Sequence, residues 1–379
     1  MPKKLKWWLA LFFLLLSPLL LAPAAIAQQE EEEAEALEGE DVVDETYLDE
    51  VTVTATKREE PLQEIPIAVT AISETQLERA NVQDIRQLPL LAPSFNMNST
   101  QTESQGTTLR IRGVGTTGNN IGLESAVGVF VDGVYLSRPG IALGDLLDVQ
   151  AVEVLRGPQG TLFGRNVSAG LINVRTQQPA YDTSMFANVG AANFSGFNAQ
   201  AGVTGPITDN LAYRFSGAYR NRDGFQESTT GAETRNRDRF LLRGQLLWDL
   251  SDSTSFRIIG DYSDADEQCC DAPIVLETPA AALGSFAAAG LPADGGAPVT
   301  GDFAFENRIS NAEQFDNPFD QSGFSAEINT VLNPSTTLTY LGSWRDFKAT
   351  SIQHSDFVGI PVFAVQPDWA GGFETFDEM

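Results

Sequence analysis

The sequence predicts an antiparallel β-barrel that crosses a membrane with strands, preceded by a mixed α/β unit. Three observations predict it. A secretion leader is followed by no apolar run of about 18 residues, so no helix is expected to span a bilayer. From about Ser184 the sequence alternates with period two. Short turns then alternate with long connections along the same region.

The leader comes first. Lys3, Lys4 and Lys6 precede the apolar stretch Trp7 to Leu16, extended by Pro18 to Leu21, and Ala25-Ile26-Ala27 is a small-x-small cleavage site. This is the pattern of a secretory signal peptide (residues 1–27) removed after Ala27. Pro18, Pro23 and the cleavage site argue against a permanent anchor helix. A mature protein that enters a membrane without apolar helices must do so as a closed barrel, since backbone groups go unpaired in hydrocarbon otherwise.

Residues 28–49 are polar and acidic, with Glu30, Glu31, Glu32, Glu33, Glu35, Glu38, Glu40, Asp41, Asp44, Glu45 and Asp49 and no Lys or Arg. Like charges repel and little here can be buried, so the segment is expected to be a disordered tether. Val51 to Thr56 follows, β-branched except at Ala55. Such residues favour an extended chain, and an extended segment on a leash can add itself to the edge of another sheet.

Pro61 to Ala180 reads as a compact α/β unit. Ile65 to Ile72 is a predicted strand. Ser73 with Gln76 forms a capping-box pattern that opens a short helix, and Asn81 with Asp84 is expected to do the same for Val82 to Leu88, ended by Pro89. Strands are predicted at Thr107 to Arg112, Val127 to Val131, Val152 to Leu155 and Leu171 to Thr176, with a helical turn at Gly144 to Val149.

Beyond it, Leu211, Tyr213, Phe215, Gly217 and Tyr219 alternate with Ala212, Arg214, Ser216, Ala218 and Arg220. Similar strands are expected near Phe197 to Thr204, Phe240 to Leu250, Phe256 to Tyr262, Phe324 to Leu332 and Leu338 to Trp344. A half-buried soluble sheet gives the same alternation. The connections favour the barrel: Pro206 to Asn210, Ser251 to Thr254 and Asn333 to Thr336 are tight, whereas Asp223 to Arg237 and Asp264 to Gln321 are long, the asymmetry of an outer-membrane barrel.

Composition excludes other classes. A net charge of -27 would be repelled by nucleic-acid phosphates. The single histidine, His354, leaves no His-rich metal site and argues against a Ser-His-Asp hydrolase. The two cysteines, Cys269 and Cys270, are adjacent and cannot form an unstrained disulfide with each other; they are read as two thiols of an exposed loop. Gly113 to Gly118 matches G-x-G-x-x-G, but no helical period follows to aim an N-terminus at a pyrophosphate. Gly157 to Gly164 lacks the Gly-Lys-Ser/Thr ending of a phosphate loop. No enzyme, cofactor or metal site is expected.

Four motifs, in order, resemble those of the TonB-dependent outer-membrane receptors: Glu50-Val-Thr-Val-Thr-Ala-Thr-Lys-Arg58, Arg110-Ile-Arg-Gly-Val-Gly115, Val129-Phe-Val-Asp-Gly-Val-Tyr135 and Val152-Glu-Val-Leu-Arg-Gly-Pro-Gln-Gly-Thr-Leu-Phe-Gly164. The resemblance implies a TonB box at 50–56, a plug domain at 57–180 and a partial barrel at 181–379, the fold being an incomplete barrel of about seven strands with an N-terminal α/β plug. In the family a barrel of about 22 strands encloses the plug. The box hangs into the periplasm, and TonB, driven by its inner-membrane energising complex, pairs with it and pulls.

By the same resemblance, Glu50, Val51, Thr52, Val53, Thr54 and Ala55 form the TonB-docking strand. Arg112 and Arg156 match plug arginines that pair with barrel carboxylates as a latch. Gly113, Gly157 and Gly160 are expected to permit turns that a Cβ would obstruct. Asn119, Asn120, Glu124, Tyr135 and Arg138 are placed on outward-facing apices that meet substrate. After Phe163-Gly164-Arg165-Asn166 the family pattern calls for a Gly-Gly run, and this chain keeps one glycine, Gly170. With about seven strands the chain is expected to be a fragment, since a barrel must close.

The implied function is energised uptake of a scarce nutrient across the outer membrane of a Gram-negative bacterium, with the tether in the periplasm and barrel strands against outer-membrane lipid. A ferric siderophore is the leading cargo. Oligosaccharide, cobalamin or another organic nutrient is the alternative, and a non-transporting protein that docks TonB or signals is a third reading.

Overall fold

The computed structural model describes residues 52–99, 107–116, 124–137, 146–228, 233–268, 306–307, 318–350 and 370–375. The leader, the acidic tether, Glu50, Val51, Asn119, Asn120, Arg138, the two cysteines and His354 lie outside the described residues.

The plug opens with β1 (Thr52–Val53) and β2 (Glu60–Pro61), paired antiparallel. β3 (Val69–Ser73) runs into helix α1 (Glu74–Arg79), where the predicted capping box forms: Gln76 N donates to Ser73 Oγ and Ser73 N donates to Gln76 Oε1. The second predicted cap is displaced. Asp84, not Asn81, caps a 3-10 helix at Ile85–Leu90, with Gln87 closing the box. Asn81 instead adopts φ 50° just after the first helix, a left-handed conformation that asparagine tolerates better than most residues. Pro89 lies inside the 3-10 helix rather than ending it.

β4 (Phe95–Ser99), β5 (Thr107–Ile111), β6 (Val127–Val131), β7 (Val134–Tyr135), β8 (Val149–Arg156), α2 (Gly160–Phe163) and β9 (Gly170–Thr176) complete the plug. The turn expected at Gly144 to Val149 is not helical where it is described: Leu146 to Asp148 lead directly into β8. Five strands form a mixed sheet in the order β3-β8-β9-β6-β7, with β6 and β9 parallel and the other pairs antiparallel.

Both faces of this sheet are covered, as period-two strands require when each face is apolar. Val152, Val154, Ile172, Val174, Val127 and Val129 face a core closed by α1, the 3-10 helix and β4–β5. Leu155, Leu171 and Phe130 face a second core closed by Val53, Ala55, Phe163 and Val167. The N-terminal segment is thus part of the plug's hydrophobic interior.

The wall is an eight-stranded antiparallel sheet: β10 (Ser184–Ala192), β11 (Gly196–Thr208), β12 (Leu211–Arg222), β15 (Arg237–Ser251), β16 (Thr254–Ala265), β18 (Phe319–Asn333), β19 (Thr336–Thr350) and β20 (Ala370–Thr375). Between them, β13 (Gln226–Ser228), β14 (Glu233–Thr234) and β17 (Glu306–Asn307) form a small sheet in the long connections. The described wall has one strand more than expected, and β10 and β20 are its two edges. The alternation sorts as predicted. Phe215, Leu246, Trp248, Phe324, Tyr340 and Trp344 are exposed on the outer face, while Ala212, Ser216, Arg220, Arg239, Gln245 and Arg257 are buried.

The glycine kept after Phe163-Gly164 proves to be the one this fold needs. Gly170 has φ 139°, and a Cβ there would run into the Leu155 carbonyl and stand 2.8 Å from Ile111 Cδ1. Gly164 also has positive φ but open space around it. Gly170→Ala should therefore lower stability by more than about 1 kcal/mol, and by more than Gly164→Ala, read as the shift in denaturant midpoint of the purified protein.

Candidate functional site

The site has two parts: a set of charged contacts that seat the plug against the wall, and the segment Thr52–Ala55 packed on the plug. The contacts follow from strand geometry. Period two turns Arg214 and Arg220 of β12, Arg243 of β15 and Arg257 of β16 toward the interior. A guanidinium removed from water must find acceptors, since an unpaired buried charge is strongly unfavourable.

The plug supplies them. Arg214 grips the Asp148 carboxylate through Nε and Nη2, the two-pronged geometry that suits a guanidinium and a carboxylate. Arg257 Nη2 lies 3.5 Å from Asp132 Oδ1 and donates to Gln245 Oε1 (2.6 Å) and Thr176 Oγ1 (3.2 Å). Arg237 Nη2 reaches Asp84 Oδ2 at 3.3 Å, and that carboxylate also holds Arg86 at 2.8 Å. Arg243 and Arg220 donate to the plug carbonyls of Leu147 (3.0 Å) and Gln83 (2.8 Å). The three carboxylate side chains are almost wholly buried.

Asp132 sits in the Val129-Phe-Val-Asp-Gly-Val-Tyr135 motif. With φ 48° at Asp132 and 81° at Gly133, the two residues turn the chain between β6 and β7, as positive φ at both central positions of a two-residue hairpin loop demands. The turn aims the carboxylate at β9, where it accepts from Thr176 N (3.0 Å) and Oγ1 (2.7 Å). The side of Gly133 that a Cβ would occupy is 2.9 Å from Leu341 of the wall.

Among the described residues the plug–wall contacts pair plug aspartates with wall arginines. Arg156 donates to the plug carbonyls of Ala68 and Val69, both at 3.3 Å. Arg112 lies exposed at a turn with φ 53°, its backbone N–H donating to Ser94 O at 2.7 Å. Among the described residues neither arginine meets a wall carboxylate.

The segment Thr52–Ala55 is not a free end. Val53 and Ala55 are fully buried, and Thr54 between them donates from its backbone N to Glu153 Oε1 at 2.7 Å. Thr54 Oγ1 lies 3.1 and 3.2 Å from the two Glu153 oxygens and accepts from Asn173 Nδ2 at 3.1 Å. Lys57 places its ammonium 4.2 Å from the Phe163 ring centroid and 5.5 Å from that of Phe130, a cation–π seat. Burial lowers the Lys57 pKa below the usual lysine value, opposed by the negative charge of Glu327.

Gly113 and Gly157 have φ 78° and 88°, yet a Cβ at either would meet nothing, so their conformation rather than close approach favours glycine there. Gly160 opens α2 with free space and no positive φ, so no turn depends on it. Tyr135 is buried against Phe130 in the second core rather than on an outward apex. Glu124 is half-exposed. It and Tyr135 meet at Asn166, whose Nδ2 donates to Glu124 Oε2 (2.7 Å) and Tyr135 Oη (3.0 Å), with Arg165 3.6 Å from Glu124. Asp132, Asp148 and Glu153 were not singled out from sequence, and Asp84 only as the partner of Asn81 in a predicted cap. Their signal there is an acidic residue at a cap, a turn or amid an apolar strand.

The architecture is that of a β-sheet wall seated on a folded plug, the class of plugged outer-membrane barrels. Residues 61–171 match the family model described as TonB-dependent Receptor Plug Domain. The chain is 35% identical over 152 residues to the pesticin receptor of Yersinia pestis, covering 39% of this chain and 21% of that one. It is 27% identical over 206 residues to the ferrioxamine B receptor of Salmonella typhimurium, covering 53% of this chain and 28% of that one. Among solved structures, the ferric yersiniabactin uptake receptor FyuA of Yersinia pestis superposes with TM-score 0.61 at 20% identity, covering 76% of this chain and 42% of that one. The pyoverdine receptor FpvA of Pseudomonas aeruginosa gives 0.61 at 17% identity, with 82% and 42% covered. Residues 61–171 are thus a TonB-dependent receptor plug domain, carried by a chain with the fold of a plugged outer-membrane receptor. The chain spans less than half the length of these relatives.

Two outcomes follow from the latch. Asp148→Asn or Arg214→Met alone leaves a buried group without its partner and should destabilise plug seating by about 3–5 kcal/mol, whereas the double replacement should recover much of the loss. Denaturant midpoints of the four proteins check this. The second concerns Asp84. Burial raises its pKa, but Arg86 and Arg237 outweigh that and hold it below the ordinary value of 3.8. A depressed carboxylate stabilises the folded state above its unfolded pKa and loses that contribution as pH falls through its folded one. The contribution of Asp84 to plug seating, taken as the difference in midpoint between wild type and Asp84→Asn, should thus be constant from pH 7 to about 5 and shrink progressively as pH falls from there through 3.8 toward the lower folded value.

Proposed function

We propose that this chain is the plug-bearing N-terminal part of a receptor that imports a ferric siderophore across the outer membrane by mechanical work delivered through TonB. The carrying observation is the plug's seating. A folded domain held in place by three buried aspartate–arginine contacts, and cored on both faces, does not move aside by thermal fluctuation alone, so passage of cargo needs an applied force. The outer membrane holds no energised gradient of its own. A partner that pairs with an extended segment and pulls, itself driven from the inner membrane, supplies that force.

The segment at Thr52–Val53 suits such pairing. It is extended and already paired with Glu60–Pro61, so it carries the backbone pattern that strand addition uses. Glu50 to Ala55 are read as the docking strand on this ground and on the motif. Surface apices and long connections of the wall are read as the cargo-binding face.

The cargo reading draws on the relatives. Ferrioxamine B, ferric yersiniabactin and pyoverdine stand in the names of proteins that share this fold or part of this sequence. An oligosaccharide, cobalamin or other organic nutrient remains the alternative outcome of the test, and a TonB-docking protein without transport is a third.

The test is twofold. Abundance of the protein in outer-membrane fractions should rise strongly on iron starvation, and labelled ferric siderophore should accumulate in cells that carry the receptor. No rise and no accumulation, with uptake of a carbon source instead, would replace the cargo. Separately, Val53→Pro removes a backbone donor from the docking strand. Cargo binding at the surface should persist while uptake falls to background; unchanged uptake would reject the docking assignment.

A further inference from the structure

We propose that Glu153 is a positioning residue that stores the docking strand on the plug and sets how readily TonB can take it. The inference rests on the reading of Glu50 to Ala55 as the docking strand. It comes from a buried charge that the transport argument leaves unused.

Glu153 lies in the middle of β8, flanked by Val152 and Val154. Those valines face the first core, so period two turns Glu153 toward the second, between Val53 and Ala55 on one side and Leu155 and Leu171 on the other. It has 0% exposure. A carboxylate in that setting costs free energy unless donors surround it. Its donors are Thr54 N, Thr54 Oγ1 and Asn173 Nδ2, with Arg175 Nη1 3.8 Å away.

Two of those donors belong to the docking strand, which gives the clamp its consequence. A partner strand pairs through backbone N–H and C=O groups, and the Thr54 N–H is bonded to Glu153. While it is so bonded it cannot donate to TonB. Opening the clamp also lifts Val53 and Ala55 from the second core. Arg175 reinforces the hold, since its other nitrogen lies 3.4 Å from Glu59 on the same segment. Pairing with TonB and storage on the plug are therefore competing states of one strand, and Glu153 weights the balance toward storage.

The experiment measures binding of the purified periplasmic domain of TonB to the intact receptor in detergent, without cargo. Four variants are compared with wild type: Glu153→Ala, Glu153→Gln, Thr54→Val and Val53→Pro. Glu153→Ala removes the acceptor and should tighten binding about tenfold or more, the scale of a hydrogen bond to a charged group. Glu153→Gln keeps an acceptor oxygen and should stay near wild type. Thr54→Val loses only the hydroxyl and should fall between the two; being isosteric, it keeps the test valid if Glu153→Ala fails to fold. Val53→Pro should abolish binding. If Val53→Pro abolishes binding but neither Thr54→Val nor Glu153→Ala strengthens it, the clamp is wrong and the docking strand stands. If Val53→Pro binds as wild type does, the docking reading fails and the clamp proposal with it.

Discussion

The inward-facing arginines of the wall govern the rest of this structure. Once β12, β15 and β16 adopt the register that puts aromatic side chains on the outer face, Arg214, Arg243 and Arg257 have no choice of direction. Each must be met by an acceptor in a space that a folded domain fills. The plug answers with turns and caps rather than with regular strand positions. Asp148 precedes β8, Asp132 forms the β6–β7 turn, and Asp84 caps the 3-10 helix. These are the places where a short acidic side chain is already favoured for local backbone reasons. One residue thus serves its own loop and the wall at once, so a change at any of them disturbs both.

That dual use explains which parts were legible in the sequence. Period two identified the faces of β11, β12 and β15, and Ser73 with Gln76 located the first helix, because each is a local pattern with one physical meaning. The second cap was misplaced by three residues because Asn81 and Asp84 both suit a helix start, and only the left-handed turn at Asn81 decides between them. The latch was harder. Its arginines were visible as the polar members of an alternation, but their partners lie far away in sequence, at 66 residues for Arg214 and Asp148. Nothing local marks Asp148 as the partner. The family pattern pointed instead to Arg112 and Arg156, whose described contacts are with the plug or solvent.

Glu153 shows the opposite case. Its position amid valines made it conspicuous as a motif letter, yet its chemistry was hidden, because a motif fixes identity and not orientation. Alternation of β8 alone would have turned it away from the first core. What the sequence does not contain is the lid over the other face: that the N-terminal segment folds back on the plug instead of hanging free. The apolar side chains of Val53 and Ala55, and the polar Thr54 between them, match a sheet face that presents Leu155 and Leu171 beside Glu153 and Asn173.

The two halves of the site meet on β9, and this arrangement bears on how a pull would travel. Asn173 touches the N-terminal segment through Thr54, and three residues on, Thr176 bonds Asp132 and Arg257. Between them Arg175 lies close to both Glu153 and Glu59. A force on the N-terminal segment therefore bears first on side chains that β9 carries, and β9 is hydrogen-bonded to β8 and β6 along most of its length. Strand ladders resist sliding because many bonds load together, while side-chain contacts at the end of a leash load one at a time. The side-chain contacts at Thr54 should yield before the sheet does.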